Sequence, residues 1–259
     1  MSCPQCFTGH VNPGTPTGRW DTVHGLRTYI AEPAAGEQTR GIIVIIPDAF
    51  GVNFVNNQIL ADHYASATQY LVYLPDFMEG KAASVQCMIN MAHMWDEKES
   101  WFMKPALRED KGATLPVGVA GFCWGGLYAI KLTHDTTDAK TAGGRPLADA
   151  FFVAHPSNLT IPQDIADVKG NLSIAIGDDD GVMGIKQFRA AQNILADKKD
   201  LDSELVIYPG AKHGFSIRAS RAQPDSKQTK QAEEAEKQAT SWFQRHFEGA
   251  KRLQVPPKH

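Results

Sequence analysis

The chain has 259 residues, 42% of them hydrophobic and 21% charged, which is enough to bury the core of one large domain or two small ones. Its formal net charge is −3 and its acidic and basic residues are mixed, so the composition gives no basis for binding nucleic acid or an anionic membrane. No apolar run approaches the roughly 18 residues that span a bilayer, and the strand-length run GIIVIIP stops at Pro47.

The N-terminal segment has no positively charged start followed by an apolar stretch, so it does not predict a secretory signal. It is rich in glycine, proline and threonine, and we expect residues 1–19 to form an extended arm ahead of a single domain at 20–259. Four cysteines are too few for a disulfide scaffold in a chain of this length. A reducing, cytoplasmic location is therefore predicted.

Short apolar segments alternate with longer helical patterns along the rest of the chain. The predicted strands are 26–32, 42–47, 70–75, 115–122, 148–155, 172–178 and 203–210. The predicted helices are 54–68, a long one within 81–110, 124–134, 184–198 and 226–247. Several strands are apolar on both faces, which is typical of strands covered by helices on either side. The alternation predicts an α/β fold with a mostly parallel, doubly wound sheet.

Reactive side chains follow four of the predicted strands, at the edge of the sheet where ligands of such folds bind. The segments are PDAFGVN (47–53), GFCWGG (121–126), GDDDGVMG (177–184) and YPGAKHGF (208–215). Cys123, an aspartate near Asp180 and His213 follow one another in the nucleophile–acid–histidine order of α/β-hydrolases.

The segment GFCWGG fits a nucleophile elbow with cysteine in the place of serine. In such an elbow the nucleophile has a strained backbone, and a Cβ two residues before or after it would collide with the turn, which explains Gly121 and Gly125. The amides at the start of a helix from Trp124 would stabilise an oxyanion and a thiolate. Since the thiolate is the reactive form of cysteine, a histidine is a useful neighbour.

Together these segments resemble the dienelactone hydrolase family of α/β-hydrolases. GFCWGG is similar to the family's G-x-C-x-G-G elbow, GDDD to its G-x-x-D acid turn, KHGF to its histidine loop and PDAFGVN to a segment that ends one of its strands. The resemblance covers roughly residues 20–250, and the opening CPQCFTGHVNPGTPTG is similar to the N-terminal arm of fungal members. It implies an α/β-hydrolase fold and the hydrolysis of an ester or lactone.

The resemblance also implies the roles of individual residues. Cys123 would be the nucleophile, His213 its base and later the proton donor to the leaving group, and Asp180 the acid that orients the histidine. The backbone amides of Ala49 and Trp124 would form the oxyanion hole. The family's mechanism needs no metal or organic cofactor.

Asp48 stands where bacterial members carry a glutamate that helps to set the protonation state of the thiol, and its side chain is one methylene shorter. Arg218 is the counterpart of an arginine that binds the substrate carboxylate, with a spacing shifted by one residue. The family's second carboxylate-binding arginine has no clear counterpart, and Lys104 and Arg108 are the available candidates. Trp95 lies in the segment that covers the site in this fold, where it would line the substrate pocket or pack in the core.

Each of these residues also has a purely structural interpretation. Cys123 would then be an inert core thiol, His213 part of a surface turn, and Asp48 a turn residue that binds loop amides. Of the three adjacent aspartates, Asp178 or Asp179 would instead cap the helix that follows.

Two other groups of residues have side chains that bind metals or transfer protons. Cys3 and Cys6 could form half of a zinc site, but the sequence has no second C-x-x-C and only His10 nearby, whereas a zinc site needs four ligands. His155 follows a predicted strand and precedes Pro156, and a structural role is expected for it rather than a catalytic one.

The main hypothesis is a cytoplasmic cysteine hydrolase that cleaves an ester, lactone or thioester of a small molecule through an acyl-enzyme on Cys123. The alternative is a non-catalytic relative that binds a ligand and uses Cys123 as an oxidisable thiol. Neither hypothesis involves nucleic acid, a membrane, a metal or a cofactor, and both are compatible with a monomer or a homodimer. A fold and a triad do not determine the substrate, nor whether hydrolysis, acyl transfer or ring closure dominates.

Overall fold

The computed structural model describes residues 4–83 and 105–254. In these residues an eight-stranded sheet has the order β1-β2-β4-β3-β5-β6-β7-β8. The strands are β1 Arg19–Val23, β2 Leu26–Ala31, β3 Gly41–Ile46, β4 Tyr70–Pro75, β5 Val117–Phe122, β6 Ala150–Ala154, β7 Leu172–Gly177 and β8 Ser203–Tyr208. The pairs β1–β2 and β2–β4 are antiparallel and the other neighbours are parallel. The predicted α/β sheet is confirmed.

Helices cover both faces of this sheet. They are α1 Val55–Ala67, α2 Pro105–Glu109, α3 Trp124–Lys131, α4 Gln163–Ala166, α5 Ile185–Ala196, α6 Phe215–Arg218 and α7 Lys227–Gln254. A Cβ on Gly118 of β5 would touch Phe243 of α7, whereas a Cβ on Gly121 would touch Ala129 of α3. Because residues three apart on a strand point to opposite faces, α7 and α3 lie on opposite sides of the sheet.

The central strands are composed largely of apolar residues, which favours burial in the middle of the sheet. Every residue of β3 to β7 is buried, and β3 consists of one glycine followed by isoleucine and valine, which favour extended backbone. Strand β1 was not predicted, because its sequence RWDTV is largely polar and four of its five residues are exposed at the sheet edge. Its backbone pairing with β2 places it there.

The other differences from the predicted elements are confined to their ends and to short elements. A long helix is predicted within 81–110, and of this range the structure describes only 81–83 and 105–110, where α2 lies. The segment ahead of β1 begins with a short 3₁₀ helix at Pro4–Phe7, and Cys6 and Phe7 are buried. The division into an arm and a single domain stays a prediction. Within 4–83 and 105–254, no helix has the length and hydropathy of a membrane-spanning segment.

Candidate active site

A strained turn joins β5 to α3 and carries Cys123. The backbone of Cys123 has φ 52° and ψ −113°, a conformation that residues other than glycine rarely adopt. A Cβ on Gly121 would lie 2.5 Å from the carbonyl oxygen of Gly125, and a Cβ on Gly125 would overlap the carbonyl oxygen of Ile46. The two glycines are therefore required by close backbone approach, as the elbow prediction states.

Strand register brings the end of β3 to the same level as this turn. Ile46 of β3 pairs with Gly121 of β5, so Asp48 and Cys123 both lie two residues beyond the paired positions. Ala49, the next residue, is one of the two predicted oxyanion-hole donors, and its amide has no hydrogen-bond partner in the part of the chain that the structure describes.

The second predicted donor, Trp124, is the first residue of α3 and directly follows Cys123. Both predicted amides thus belong to segments that meet beside the Cys123 turn. Their role in binding an oxyanion stays a prediction.

His213 and Asp180 follow the neighbouring strands β8 and β7. Nδ1 of His213 lies 2.9 Å from Oδ2 of Asp180, and both side chains are completely buried. Oδ1 of Asp180 also accepts hydrogen bonds from the amides of Val182, at 2.8 Å, and Met183, at 3.2 Å. The imidazole is therefore held by a carboxylate that is itself fixed by backbone amides.

Among the three adjacent aspartates, the structure distinguishes Asp180 clearly. Asp178 accepts a hydrogen bond from the amide of Gly210, and the amide of Asp179 donates to the carbonyl of Ala211 at 3.2 Å. Both contacts fix the loop after β8 against the loop after β7. Neither Asp178 nor Asp179 caps the helix that follows, because the N-cap of α5 is Gly184, and of the three aspartates it is Asp180 that contacts His213.

A thiol–imidazole cluster lies where these loops meet. One ring nitrogen of His213 and the Sγ atoms of Cys123 and Cys6 all lie within 4.8 Å of one another, and all three residues are buried. Nδ1 of His213 is bonded to Asp180, which leaves Nε2 to exchange a proton with the thiols. Ser157 also approaches, with its Oγ 3.9 Å from Sγ of Cys123.

The electrostatics of this cluster favour a thiolate paired with an imidazolium. The hydrogen bond from the Cys6 thiol, followed by the charges of His213 and Arg218, holds the pKa of Cys123 well below its usual range, although burial acts in the opposite direction. Burial also opposes the charged form of His213. The Cys123 thiolate and Asp180 outweigh it and raise the pKa of His213 to about 9.

Cys6 reaches the site because the N-terminal segment is docked on it. The side-chain oxygen of Gln5 accepts hydrogen bonds from the amides of Gly181, at 2.8 Å, and His213, at 3.2 Å. Phe7 packs edge-to-face on Phe50, with ring centroids 6.1 Å apart. Sequence reasoning considered Cys6 only as part of a zinc pair, and no periodicity in the arm signals this position.

Asp48 and Arg218 form a buried ion pair whose charges act on the Cys123 thiol. Oδ2 of Asp48 accepts from Nη1 of Arg218, and Oδ1 accepts from the side-chain amide of Asn57 at 3.0 Å. Nε of Arg218 donates to the carbonyl of Thr8, in the arm, at 3.0 Å. Arg218 therefore lies at the site, but its guanidinium is engaged by protein groups. The predicted roles of Asp48 in tuning the thiol and of Arg218 in binding substrate stay predictions.

Of the remaining sequence candidates, one lies away from this cluster and two are not described by the structure. Trp95 and Lys104 lie outside the described residues. Arg108 is at the amino-terminal end of the central strand β5, where its Nη1 lies 2.8 Å from Oδ2 of Asp149, and the same oxygen accepts from the amide of Val117. Because Cys123 follows the other end of β5, about 20 Å away, the candidacy of Arg108 for binding substrate was wrong.

His155 packs beside His213, and its hydrogen bond is to Ser216 rather than to a thiol. Its Nε2 is 2.9 Å from Oγ of Ser216, and its ring packs edge-to-face on that of His213 at a centroid distance of 5.1 Å. Burial holds the pKa of His155 well below its usual range, so it packs as a neutral ring. This agrees with the structural role expected for it.

A cavity of about 330 Å³ opens beside the cluster. His213 and Arg218 line it together with Gln5 and Thr8 of the arm, so the arm forms part of its wall. The ligand atoms of Cys6, Cys123 and His213 could also bind a soft metal ion, but they are one ligand short of a closed zinc site. The arrangement is more suited to covalent chemistry at sulfur.

Comparisons with known proteins agree with this geometry. The family model described as the dienelactone hydrolase family matches residues 26–247. The chain is 25% identical to hydrolase pyvD of Aspergillus violaceofuscus, over 93% of this chain and 96% of that protein. It is 24% identical to hydrolase tropI of Talaromyces stipitatus, over 95% of this chain and 96% of that protein.

Solved structures share the fold. A putative dienelactone hydrolase from Klebsiella pneumoniae superposes with a TM-score of 0.56 at 16% identity, covering 85% of this chain and 92% of its own. Esterase 2 of Thermogutta terrifontis superposes with a TM-score of 0.62 at 15% identity, covering 90% of this chain and 96% of its own. Since the family model covers most of the chain, the protein belongs to the dienelactone hydrolase family of carboxylic-ester hydrolases.

Proposed function

We propose that the protein hydrolyses a small-molecule ester, lactone or thioester through a covalent acyl-enzyme on Cys123. The observation that carries this proposal is the 2.9 Å contact between His213 and a buried Asp180, with the Cys123 sulfur within 4.8 Å of the same imidazole. A nucleophile, a base and a group that orients the base are thus present in one cluster.

In the first half of the reaction, the Cys123 thiolate attacks the substrate carbonyl. Negative charge develops on the carbonyl oxygen, and the amides of Ala49 and Trp124 are the donors that would stabilise it. The His213 imidazolium then gives its proton to the leaving alcohol or thiol, which breaks the ester bond and leaves the acyl group on sulfur. Asp180 holds the ring in the orientation that this transfer needs.

In the second half, neutral His213 takes a proton from water, which attacks the thioester of the acyl-enzyme. Collapse of the tetrahedral intermediate releases the acid and regenerates the thiolate–imidazolium pair. Every proton in this scheme passes through His213, and no metal or organic cofactor takes part. Nε2 of His213 would therefore act first as the proton donor to the leaving group and then as the base that activates water.

The Asp48–Arg218 pair bears on the kind of substrate we propose. The positive charge of Arg218 helps to hold Cys123 as a thiolate, and the negative charge of Asp48 limits this effect. Because the guanidinium is already matched by a carboxylate, an acyl group without its own carboxylate fits this site without leaving a buried charge unpaired. We accordingly propose neutral esters and lactones over anionic dienelactones.

The experiment that tests the proposal is trapping of the acyl group. Incubation with a p-nitrophenyl ester should give a burst of p-nitrophenol and an adduct that peptide mass spectrometry locates on Cys123. Cys123→Ala should abolish the adduct and lower turnover by about a thousandfold or more. Cys123→Ser is the matched variant, because it replaces the thiol with a hydroxyl of similar size at the same elbow.

Turnover that survives in Cys123→Ala would contradict the proposed mechanism. The alternative function, a non-catalytic relative with an oxidisable Cys123, predicts no turnover by the unaltered protein on a panel of aryl esters, lactones, dienelactones and thioesters. Product analysis on the same panel distinguishes hydrolysis from acyl transfer or ring closure. The cytoplasmic location and the choice between monomer and homodimer stay predictions.

A further inference from the structure

Two cysteine sulfurs lie side by side in the proposed active site, and the acyl-transfer scheme uses only one of them. Cys6 and Cys123 are 5% and 1% exposed, both are present as thiols, and their Sγ atoms lie within 4.8 Å of each other. They come from positions 117 residues apart, so only the docking of the arm brings them together. We propose that Cys6 is a resolving cysteine, which closes a reversible disulfide with Cys123 after a hydroperoxide has oxidised the nucleophile.

The surroundings of Cys123 suit attack on a hydroperoxide. Its sulfur faces the His213 imidazole and lies in the field of the Arg218 guanidinium, and these positive charges favour the thiolate. A thiolate is the form of cysteine that hydroperoxides oxidise.

Cys6 is held in place by contacts on both sides of it. Gln5 bonds to the backbone of Gly181 and His213, and the carbonyl of Thr8 accepts from Arg218. A Cβ on Gly9 would collide with the side chain of Arg218, so the chain after Cys6 also lies tightly on the body of the protein. These contacts hold the Cys6 sulfur beside Cys123.

The sulfurs must approach from their present separation to the roughly 2.05 Å of a disulfide. Cys6 lies in a four-residue 3₁₀ helix, Pro4–Phe7, which has few internal hydrogen bonds to resist a small shift. Cys123 is fixed by its elbow, so the movement that closes the bond belongs to Cys6 and the arm. A rotation about its Cα–Cβ bond moves the sulfur while the backbone contacts of the arm stay in place.

The chemistry balances without any further redox partner than the hydroperoxide. The Cys123 thiolate attacks one oxygen of the hydroperoxide, a sulfur–oxygen bond forms, the oxygen–oxygen bond breaks, and the departing oxyanion takes the His213 proton. The Cys6 sulfur then attacks the sulfenic acid, a sulfur–sulfur bond forms, and hydroxide leaves with the Cys6 proton as water. Two thiols are oxidised, and the hydroperoxide is reduced to water and an alcohol, or to two waters.

The disulfide would remove the nucleophile and attach the arm covalently to the elbow. Without a resolving thiol, a sulfenic acid in excess hydroperoxide proceeds to sulfinic acid, which common reductants do not reverse. Cys6 would thus convert an irreversible loss of the nucleophile into a recoverable one. This role is separate from hydrolysis, since it requires only the two thiols and the base.

The test uses the full chain with Cys3→Ser and Cys87→Ser, which leaves Cys6 and Cys123 as its thiols. The protein is treated with hydrogen peroxide, denatured, blocked with N-ethylmaleimide and measured by intact-protein mass spectrometry, with dimedone as the trap for sulfenic acid. The expected product has lost two hydrogen atoms and carries no maleimide, and dithiothreitol restores two reactive thiols. Peptide mapping should identify a Cys6–Cys123 crosslink.

The matched variants are Cys6→Ser and Cys6→Ala in the same background. Both should accumulate dimedone-reactive and then sulfinylated Cys123, and dithiothreitol should no longer recover the thiol. The proposal is overturned if the parent protein follows that course itself, or if the variants recover as fully as the parent. Because mass is the readout, the result is independent of whether the protein hydrolyses any ester, and esterase activity after reduction is a separate measurement.

Discussion

Asp48 and Arg218, 170 residues apart in the chain, form an ion pair in which both side chains are buried. The same guanidinium contacts the carbonyl of Thr8 and influences the Cys123 thiol, so one pair links the end of β3, the arm and the nucleophile. Its removal should therefore change stability and thiol chemistry together.

Asp48→Asn leaves the guanidinium buried without its counter-ion, and we expect the free energy of unfolding to fall by about 3–5 kcal/mol. Urea denaturation measures this loss. The unopposed charge of Arg218 should also lower the pKa of Cys123 further, which the pH dependence of iodoacetamide alkylation reports. Asp48→Glu, which keeps the charge, is the control. Equal stability of the two variants would show that the pair is not what holds these segments.

The proposed catalytic pair predicts a bell-shaped dependence of kcat/KM on pH. The thiolate is present above the lowered pKa of Cys123, so activity should rise at a pH well below the usual range for a thiol. The imidazolium is present below the raised pKa of His213, so activity should fall as the pH passes about 9. Since the thiol and the imidazole titrate together, the two apparent pKa values of the profile describe the pair and not either residue alone. A profile with a single limb near the ordinary pKa of a thiol would contradict the thiolate–imidazolium pair of Cys123 and His213.

The hydrogen bond from Cys6 predicts a shift in that acid limb. Cys6→Ala removes the donor, so the pKa of Cys123 should rise and its alkylation by iodoacetamide should begin at higher pH. Cys6→Ser retains a donor at the same place and should shift the profile less. A role of Cys6 in packing alone would lower stability in the alanine variant without moving the alkylation profile.

Close backbone approach at the elbow predicts a severe effect of a single methyl group. Gly125→Ala places a Cβ against the carbonyl oxygen of Ile46, so the turn must shift and esterase activity should fall by about a hundredfold or more. Gly143→Ala is the control, because Gly143 is exposed and its nearest neighbouring atom would lie 3.9 Å from the new Cβ. Comparable activity in the two variants would refute a geometric requirement at position 125.

The amino-terminal end of β5, away from the proposed site, offers a stability prediction. Asp149→Asn removes the counter-ion of buried Arg108 and weakens its contact with the start of β5, which should cost roughly 2–4 kcal/mol in the free energy of unfolding. Asp135→Asn, at an exposed ion pair with Lys140, should change it little. Thermal denaturation of the two variants makes the comparison, and kcat/KM should stay unchanged in both.

The proposed site was predictable from the sequence where it lies at strand ends. Cys123, Asp180 and His213 follow β5, β7 and β8, and parallel strands bring their carboxyl ends to one edge whatever the lengths of the intervening helices. Apolar strands bounded by helices also predicted the sheet itself. These features could be predicted because each depends on the residues of one short segment of the chain.

Features that depend on distant pairing were not predictable in the same way. Nothing near Asp48 indicates that its partner is Arg218, and nothing in the arm's composition indicates that Cys6 reaches Cys123. Strand β1 escaped prediction because its polar residues follow the exposed sheet edge and its place is set by pairing with β2. In each case the information lies in tertiary contacts.

The bridge made by Gln5 has a practical consequence for anyone who produces this protein. An expression boundary chosen at residue 26, where the family match begins, would discard Gln5, Cys6 and strand β1 while retaining Cys123, Asp180 and His213. The shortened protein would expose β2 as an unpaired edge strand, which promotes aggregation. Protein prepared that way would lack the part of the cavity wall that Gln5 and Thr8 form beside the proposed site.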